Sequence, residues 1–391
     1  MNILHISPYF PDINENHAGG VCMGKEVETL KKWNEVYVLT FVASDFDRKI
    51  AKRYKDDNHY KAIYINKWTR LIHIILQPFL PNFFSARSSL RFYFYIINFI
   101  KKYKINVVHA EYASMGQYFD IIRWLFPHIK IYFVEHDITV QSYERKMKSS
   151  TGIKSIYYKW QYHCIKKVEG TYCRQSDLVI TFNEKDKSLI QRFYDVENVI
   201  VINPYYGLDD SHINSSNEIS SDKASICFVG QMGRQENYEA ASRLIRISGR
   251  LKNKVPELQV YIIGNSPPKE LAEMQSEFIH VTGFVDNVDE YILKCQLAVF
   301  PLTLGAGIKI KVLRSLALGV PVITNLIGAE GIDEYGEVII LAEKDEEFEE
   351  SIENMLNNND ERQRLSIESK TYVKERFGWE KSEMILKNIY K

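Results

Sequence analysis

A surplus of either charge is absent: 50 Lys and Arg balance 50 Asp and Glu over 391 residues. Phosphate backbones are usually met by a basic excess, so nucleic acid is not an expected partner. Cysteine is sparse. Cys22, Cys164, Cys173, Cys227 and Cys295 are odd in number, widely spread and never paired as C-x-x-C, which argues against a disulfide framework or a structural zinc site and fits a reducing compartment. Met1 runs straight into Asn-Ile-Leu-His-Ile-Ser, without the basic start, apolar middle and small-residue cleavage site of a signal peptide; a cytoplasmic chain is expected. A tight G-x-G-x-x-G is also missing after the first apolar run, where SPYFPDINENHAGG stands instead, and this speaks against a dinucleotide-dependent dehydrogenase. No repeat of fixed period and no low-complexity tract is visible.

Long apolar runs are lacking too. The most lipid-like stretch begins at Leu71, but its charge-free run ends before Arg87 and contains Pro78 and Pro81, so it is too short and broken to span a bilayer. Residues 71–100 nonetheless carry Ile74, Ile75, Leu76, Phe79, Leu80, Phe83, Phe84, Phe92 and Phe94. Two readings stay open: an interior helical hairpin, or a surface that meets a membrane, at its inner face, or a lipid-linked substrate.

What is present is an alternation. Short apolar runs rich in β-branched residues recur at Ile3 to Ile6, Val36 to Phe41, Ile105 to His109, Ile131 to Val134, Leu178 to Phe182 and Val199 to Ile202, with helical patterns between them. That is the pattern of an α/β domain with a parallel sheet covered on both faces. Residues 207–223 (GLDDSHINSSNEISSDK) are polar and read as a linker. A second series follows, at Ile226 to Val229, Val260 to Ile263, His280 to Thr282, Leu297 to Phe300, Val322 to Thr324 and Val338 to Leu341, and helical patterns fill the rest, including Asp345 to Leu356 and Trp379 to Tyr390. The length suits two domains. Open α/β sheets place ligands beyond the carboxyl ends of their strands, so a ligand cleft between two such domains, and motifs just after strands, are expected.

One such motif follows Leu297 to Phe300: Pro301-Leu-Thr-Leu-Gly305-Ala-Gly307-Ile-Lys309-Ile-Lys311, then an apolar helix ended by Gly319 and Pro321. Glycines let a backbone approach an anion, a helix start offers unpaired N–H groups and a positive dipole end, and lysines add charge; a diphosphate would fit. Lys309 and Lys311 would point to nearly opposite sides of a helix unless Lys309 is still in the loop, whereas Lys311 and Arg314 share a face. Solvated lysines at a helix start are the bland alternative. His136 ends a run between Glu135 and Asp137, carboxylates that would favour its charged form, although a lone histidine there is often a packing residue. His109 and Glu111 are weaker candidates of the same kind. Asn183 and Glu184 read better as a helix cap with an acidic first turn than as site residues.

GNSPPKEL (Gly264 to Leu271), HVTGFVDNVDEYI (His280 to Ile292), AVFPLTLGAGIKIKVLRSLALGVPVIT (Ala298 to Thr324) and GAEGI (Gly328 to Ile332) together resemble the donor domain of family four of the nucleotide-sugar glycosyltransferases. Upstream, ISPYFP with Gly19 and Gly20, VEHDI (Val134 to Ile138) and KKVEGTYCRQSDLVITFNEKD (Lys166 to Asp186) resemble its acceptor domain in the same order. The resemblance implies two facing Rossmann-like domains (the GT-B architecture) and transfer with retention of configuration. It also implies no required metal and no cofactor beyond the nucleotide diphosphate sugar, with a surface polysaccharide or lipid-linked glycan as acceptor. The domains would be residues 1–206 and 224–375, with the helix in 376–391 packing back on the first.

Carried over position by position, Gly19 and Gly20 would lie near the donor phosphates and acceptor, and His136 would contact the transferred sugar. Gly283, Phe284 and Val285 would receive the base, while Gly305, Gly307, Lys309 and Lys311 would hold the diphosphate. The chain departs from the family pattern at two positions where glutamates are usual, which here read Ala306 and Arg314. A guanidinium cannot accept the hydrogen bonds that a carboxylate takes from ribose hydroxyls. Either Arg314 binds a phosphate and the ribose is held by backbone or Glu330, or the donor nucleotide is unusual, or the site is degenerate, as in a non-catalytic partner of a glycan-assembly complex.

Overall fold

The computed structural model describes residues 1–15, 17–76, 81–207, 224–305, 307–333 and 336–391. Pro78, Phe79 and Leu80, the linker residues 208–223, Ala306 and the side chain of Phe83 lie outside the described residues. The chain divides into two compact units, Met1–Gly207 with Trp379–Lys391, and Leu208–Gly378.

In the N-terminal unit the β-branched runs form β1 (Asn2–Ser7), β2 (Glu35–Val42), β3 (Tyr60–Tyr64), β4 (Val107–Glu111), β5 (Lys130–Glu135), β6 (Leu178–Thr181) and β7 (Val199–Val201). They make one sheet in the order β3-β2-β1-β4-β5-β6-β7, with every pairing parallel. A parallel sheet buries both faces, and Val107, Val108, Ile131, Phe133, Val179 and Ile180 are accordingly inside. The helix Leu90–Tyr103 covers one face with Phe92, Ile96, Phe99 and Ile100, a helical spacing. Phe92 stacks on Phe41 of β2, ring centroids 4.5 Å apart. In this half of the 71–100 stretch Phe84 and Phe92 are interior and Phe94 is exposed; the helix Lys67–Leu76 is not interior.

The C-terminal unit repeats the plan with β8 (Ser225–Val229), β9 (Gln259–Ile263), β10 (Ile279–Gly283), β11 (Leu297–Phe300), β12 (Val322–Thr324) and β13 (Ile339–Leu341). Their order is β10-β9-β8-β11-β12-β13. In each unit the strand order reverses beside the first strand, between β1 and β4 and between β8 and β11, and that is where a doubly wound sheet opens a crevice for ligand. The last helix, Trp379–Ile389, belongs to the N-terminal unit. Trp379 Nε1 donates to Thr29 Oγ1 (3.1 Å) and Ser382 Oγ donates to the Asn203 carbonyl (2.9 Å).

Candidate functional site

Side chains alternate along a strand, so His109 and Glu111 of β4 share a face of the sheet. His5 of β1 pairs in register with His109 and shares it too, the two imidazoles stacked 5.1 Å apart. Three polar groups thus stand together with no exposure at all. Glu111 resolves this: its Oε1 accepts from His109 Nε2 (2.9 Å) and His5 Nε2 (3.1 Å), and its Oε2 lies 2.7 Å from His136 Nε2. The helix Ala18–Leu30 adds buried Glu26, whose Oε2 is 3.7 Å from His109 Nε2, and Tyr390 hydrogen-bonds His109 Nδ1 through its hydroxyl.

The electrostatics follow from these contacts. Burial opposes charge on Glu111, but His109, His136 and His5 outweigh it and hold the carboxyl well below its ordinary range. Burial likewise opposes charge on His109, and Glu111 with Glu26 overcomes it, raising the imidazole to about 9. Burial and the neighbouring Glu111 charge push Glu26 up to about 8. At neutral pH the cluster therefore holds one anion, Glu111, against protonated His109, with Glu26 as a neutral acid.

His136 follows β5 and carries this cluster to the carboxyl end of the sheet. Its ring stacks on Tyr112 at 3.8 Å, nearly parallel, and meets the edge of Phe182 at 4.7 Å. Tyr112 adopts a left-handed backbone, φ +68, rare for a bulky residue and a mark of local constraint. Its hydroxyl occupies the space beside Gly19, where a Cβ would come within 1.9 Å of it; at Gly20 a Cβ would meet Glu15 at 2.2 Å. Both glycines lie in the first turn of the helix Ala18–Leu30, where the His17 side chain accepts from the Gly20 amide (3.0 Å). Gly19 and His136 are thus brought together around Tyr112, while Gly20 packs on Glu15 and His17. Glu135, beside His136 in sequence, points elsewhere: burial and the charge of Glu169 push its carboxyl well above the ordinary range, so Glu111 and not Glu135 is the carboxylate that His136 meets. Asn183 is a cap, accepting from the Asp186 amide at 2.7 Å.

In the C-terminal unit the loops beyond β8, β9 and β10 are laced together. Gly230 N donates to Ile263 O (3.0 Å) and Gly264 N to Gly283 O (3.2 Å). Gly264 allows this approach, since a Cβ would stand 1.7 Å from Gly230 O. Gly283 (φ +67) turns the chain past β10, with Phe284 largely exposed and Val285 beside it. After β11, Gly305 (φ +120) and Gly307 (φ +67) both need left-handed backbone, and Lys309 is the extended residue before the helix Ile310–Ala317.

Lys309 is therefore still in the loop. Its Nζ donates to the Gly307 carbonyl and lies 3.6 Å from buried Glu330. Lys311, inside the helix, turns inward: Nζ donates to Asn237 Oδ1 (2.6 Å) and sits 4.4 Å from the Phe228 ring centre. Desolvation, with Lys309 adding repulsion, lowers it to about 7. Asn237 also donates to Gln231 O (2.9 Å), tying Lys311 to the loop after β8 at the switch point. Arg314 does not accompany Lys311. Its Nε and Nη2 grip the Asp289 carboxylate at 2.6 and 3.0 Å, a two-pronged pair that orients one carboxylate at this end of the sheet.

Tyr112, His5, Glu26, Tyr390, Asn237 and Asp289 escape a reading of the sequence alone. The one local signal was His-x-Glu at the end of β4. Among the described residues two groups have spacing suited to a metal, His5/His109/Glu111 and Glu15/His17/Asp47. In the first, the ligand atoms already bond one another; in the second, Asp47 accepts from the Ala43 and Ser44 amides (3.1 and 3.0 Å).

Comparison with known proteins defines the class. Residues 29–206 match a model described as Glycosyltransferase Family 4, and residues 223–358 match one described as Glycosyl transferases group 1. The chain is a glycosyltransferase of the family-four type. An uncharacterized glycosyltransferase of Methanocaldococcus jannaschii, MJ1069, is 22% identical over 279 residues, covering 67% of this chain and 68% of that protein. TarM of S. aureus, solved with UDP, alpha-GlcNAc-glycerol and fondaparinux, superposes with a TM-score of 0.71 at 11% identity, over 100% of this chain and 99% of its own. Anabaena HepE in complex with UDP gives 0.69 at 11% identity, over 100% and 99%. These likenesses establish the GT-B fold. Among the described residues no helix is long and apolar enough to cross a membrane.

Proposed function

We propose that the chain moves a sugar, with retention of configuration and without a metal, from a nucleotide diphosphate sugar to a surface polysaccharide or lipid-linked glycan acceptor on the cytoplasmic side of a membrane. The observation that carries the reading is the turn after β11, where two left-handed glycines and Lys309 precede a helix start whose second residue, Lys311, is a desolvated amine. A departing diphosphate would be stabilised by loop amides and by these lysines, the work a metal does elsewhere. His136, held by Glu111 and Tyr112, would hydrogen-bond the transferred sugar, with the backbone of Gly19 and Gly20 near the phosphates. Gly283, Phe284 and Val285 would receive the base. TarM and HepE were solved with UDP, so uridine nucleotides are the first to try.

Asp289 changes the meaning of Arg314. With its guanidinium committed to that carboxylate, Arg314 is a poor phosphate ligand, and Asp289 is a better candidate than Glu330 for the acceptor facing the ribose hydroxyls. The same pair also favours a second reading, a non-catalytic partner whose nucleotide site has been closed by an ion pair. Calorimetry with a panel of nucleotide diphosphate sugars, UDP-sugars first, followed by product detection with glycan acceptors, separates them: no binding of any member of the panel would leave only the second.

A further inference from the structure

Two helices of the N-terminal unit turn their apolar stripes outward. On the helix Lys67–Leu76, Trp68, Leu71, Ile72 and Ile75 stand at i, i+3, i+4 and i+7, and all are exposed, Trp68 by 75% and Ile75 by 66%. The helix Gly152–Gln175 repeats the spacing in its first two turns with Ile153, Ile156, Tyr157 and Trp160, of which Ile153 is 86% and Ile156 72% exposed. Such a stripe normally faces a core. The two are linked through Asn82: its Nδ2 donates to Tyr157 Oη (2.8 Å) and its amide to Gln161 Oε1 (3.3 Å), while its short helix Asn82–Ser85 packs against Lys67–Leu76.

Charge around the stripes is one-sided. Residues 66–76 hold Lys67 and Arg70 and no acid; residues 145–168 hold Arg145, Lys146, Lys148, Lys154, Lys159, Lys166 and Lys167 and no acid, in a chain whose 50 basic and 50 acidic groups cancel overall. Glu144, just outside, is paired with Lys148 at 2.8 Å. We propose that this paired-helix face lies flat in the headgroup region of an anionic phospholipid bilayer, with the Trp, Ile and Tyr side chains inserted and the lysines snorkelling to lipid phosphates. Trp and Tyr prefer that boundary, and lysine stems reach along it. A protein partner is less favoured because a face with only basic charge, and aliphatic groups standing this far out, suits a continuous anionic apolar surface better than a folded one.

Flotation of the full chain with vesicles tests this directly. Vesicles of phosphatidylcholine with about a third phosphatidylglycerol should carry the protein, pure phosphatidylcholine should not, and salt should weaken the binding. Each basic group at such a surface contributes about fivefold, so Lys154→Glu with Lys159→Glu should cost at least about twentyfold. Trp68→Ser with Ile72→Ser, and Ile153→Ser with Ile156→Ser, should each release the protein from anionic vesicles while leaving its thermal midpoint unchanged, because these groups are exposed. Failure to float with anionic vesicles overturns the proposal. So does flotation that the variants leave intact, or a dimer in light scattering that the same variants disperse. None of these outcomes depends on the transfer reaction.

Discussion

His136 Nε2 lies 2.7 Å from Oε2 of Glu111, and that carboxylate is at the same time the acceptor for His109 and His5. One buried anion thus fixes an imidazole at the carboxyl end of the sheet from beneath, while Tyr112 fixes it from the side. A group held on two sides keeps one rotamer, which a side chain acting on a sugar hydroxyl requires.

His136→Ala should leave UDP affinity within about twofold and lower turnover by a factor on the order of ten to a hundred, since its bond would be made to the reacting sugar and not to the nucleotide. Steady-state kinetics beside calorimetry on the same preparation checks this. Normal turnover would make His136 a packing residue.

Glu111→Gln should behave differently. Removing the anion takes away the main group that holds His109 protonated against burial, and losing one partner of a buried charge pair costs about 3–5 kcal/mol. Urea unfolding should show a loss of that order, together with reduced turnover, whereas His136→Ala, which leaves Glu111 its bonds to His109 and His5, should lose less.

The cluster also ties stability to pH. Glu26 rises from 4.5 to about 8 and His109 from 6.5 to about 9 on folding, so the folded state holds the extra protons. Their contribution is complete below the ordinary values and is lost as pH rises through 8 and 9. Lys311 acts in the opposite sense: lowered from 10.5 to about 7, it adds stability as pH climbs across that interval. The discriminating measurement is therefore a difference. Glu26→Gln, neutral at every pH, should gain relative to the natural protein between pH 7 and 9 in the thermal midpoint of the N-terminal unit. Parallel curves would place Glu26 outside the coupled set.

Lys311 also predicts the pH dependence of binding. A bound diphosphate favours the ammonium, so its pKa must rise in the complex, and above pH 7 binding must take up a proton. UDP affinity should fall between pH 7 and 9, with a heat that depends on the buffer's ionisation enthalpy. Lys311→Met should abolish both effects and weaken UDP about tenfold to hundredfold while sparing uridine, the range expected for one charge-assisted hydrogen bond. Equal losses for uridine and UDP would remove Lys311 from the phosphate site.

Most of the sheet could be read from sequence because buried parallel strands are continuous β-branched runs. β3 could not. Its Tyr60-Lys61-Ala62-Ile63-Tyr64 sits at the sheet edge, partly exposed, directly after the polar Asp56-Asp57-Asn58-His59. Candidate site residues were legible where chemistry and strand end coincide, as at His136, Glu111 and the turn around Gly305 and Gly307. Tyr390 was not, because 281 residues separate it from His109 and only the return of the last helix joins them. Lys311 shows a subtler failure: helical spacing placed it beside Arg314, but a buried amide acceptor on Asn237 drew one inward while Asp289 took the other.

Arg314 and Asp289 are partly exposed, 29% and 19% at their side chains, so their two-pronged pair contributes modestly, on the order of 1 kcal/mol. Arg314→Glu would set two carboxylates against each other at this distance, and both stability and UDP affinity should drop. Exchanging the partners, Arg314→Glu with Asp289→Arg, should recover most of the stability, and the coupling from the four-member cycle measures the pair. If Asp289 faces the ribose, Asp289→Asn should weaken UDP but leave a 2′,3′-dideoxy analogue unaffected, because only hydroxyls can use the carboxylate as acceptor. Should Arg314→Glu instead bind UDP more tightly than the natural protein, the ion pair is a plug over a decayed ribose site, and the reading as an active transferase falls with it.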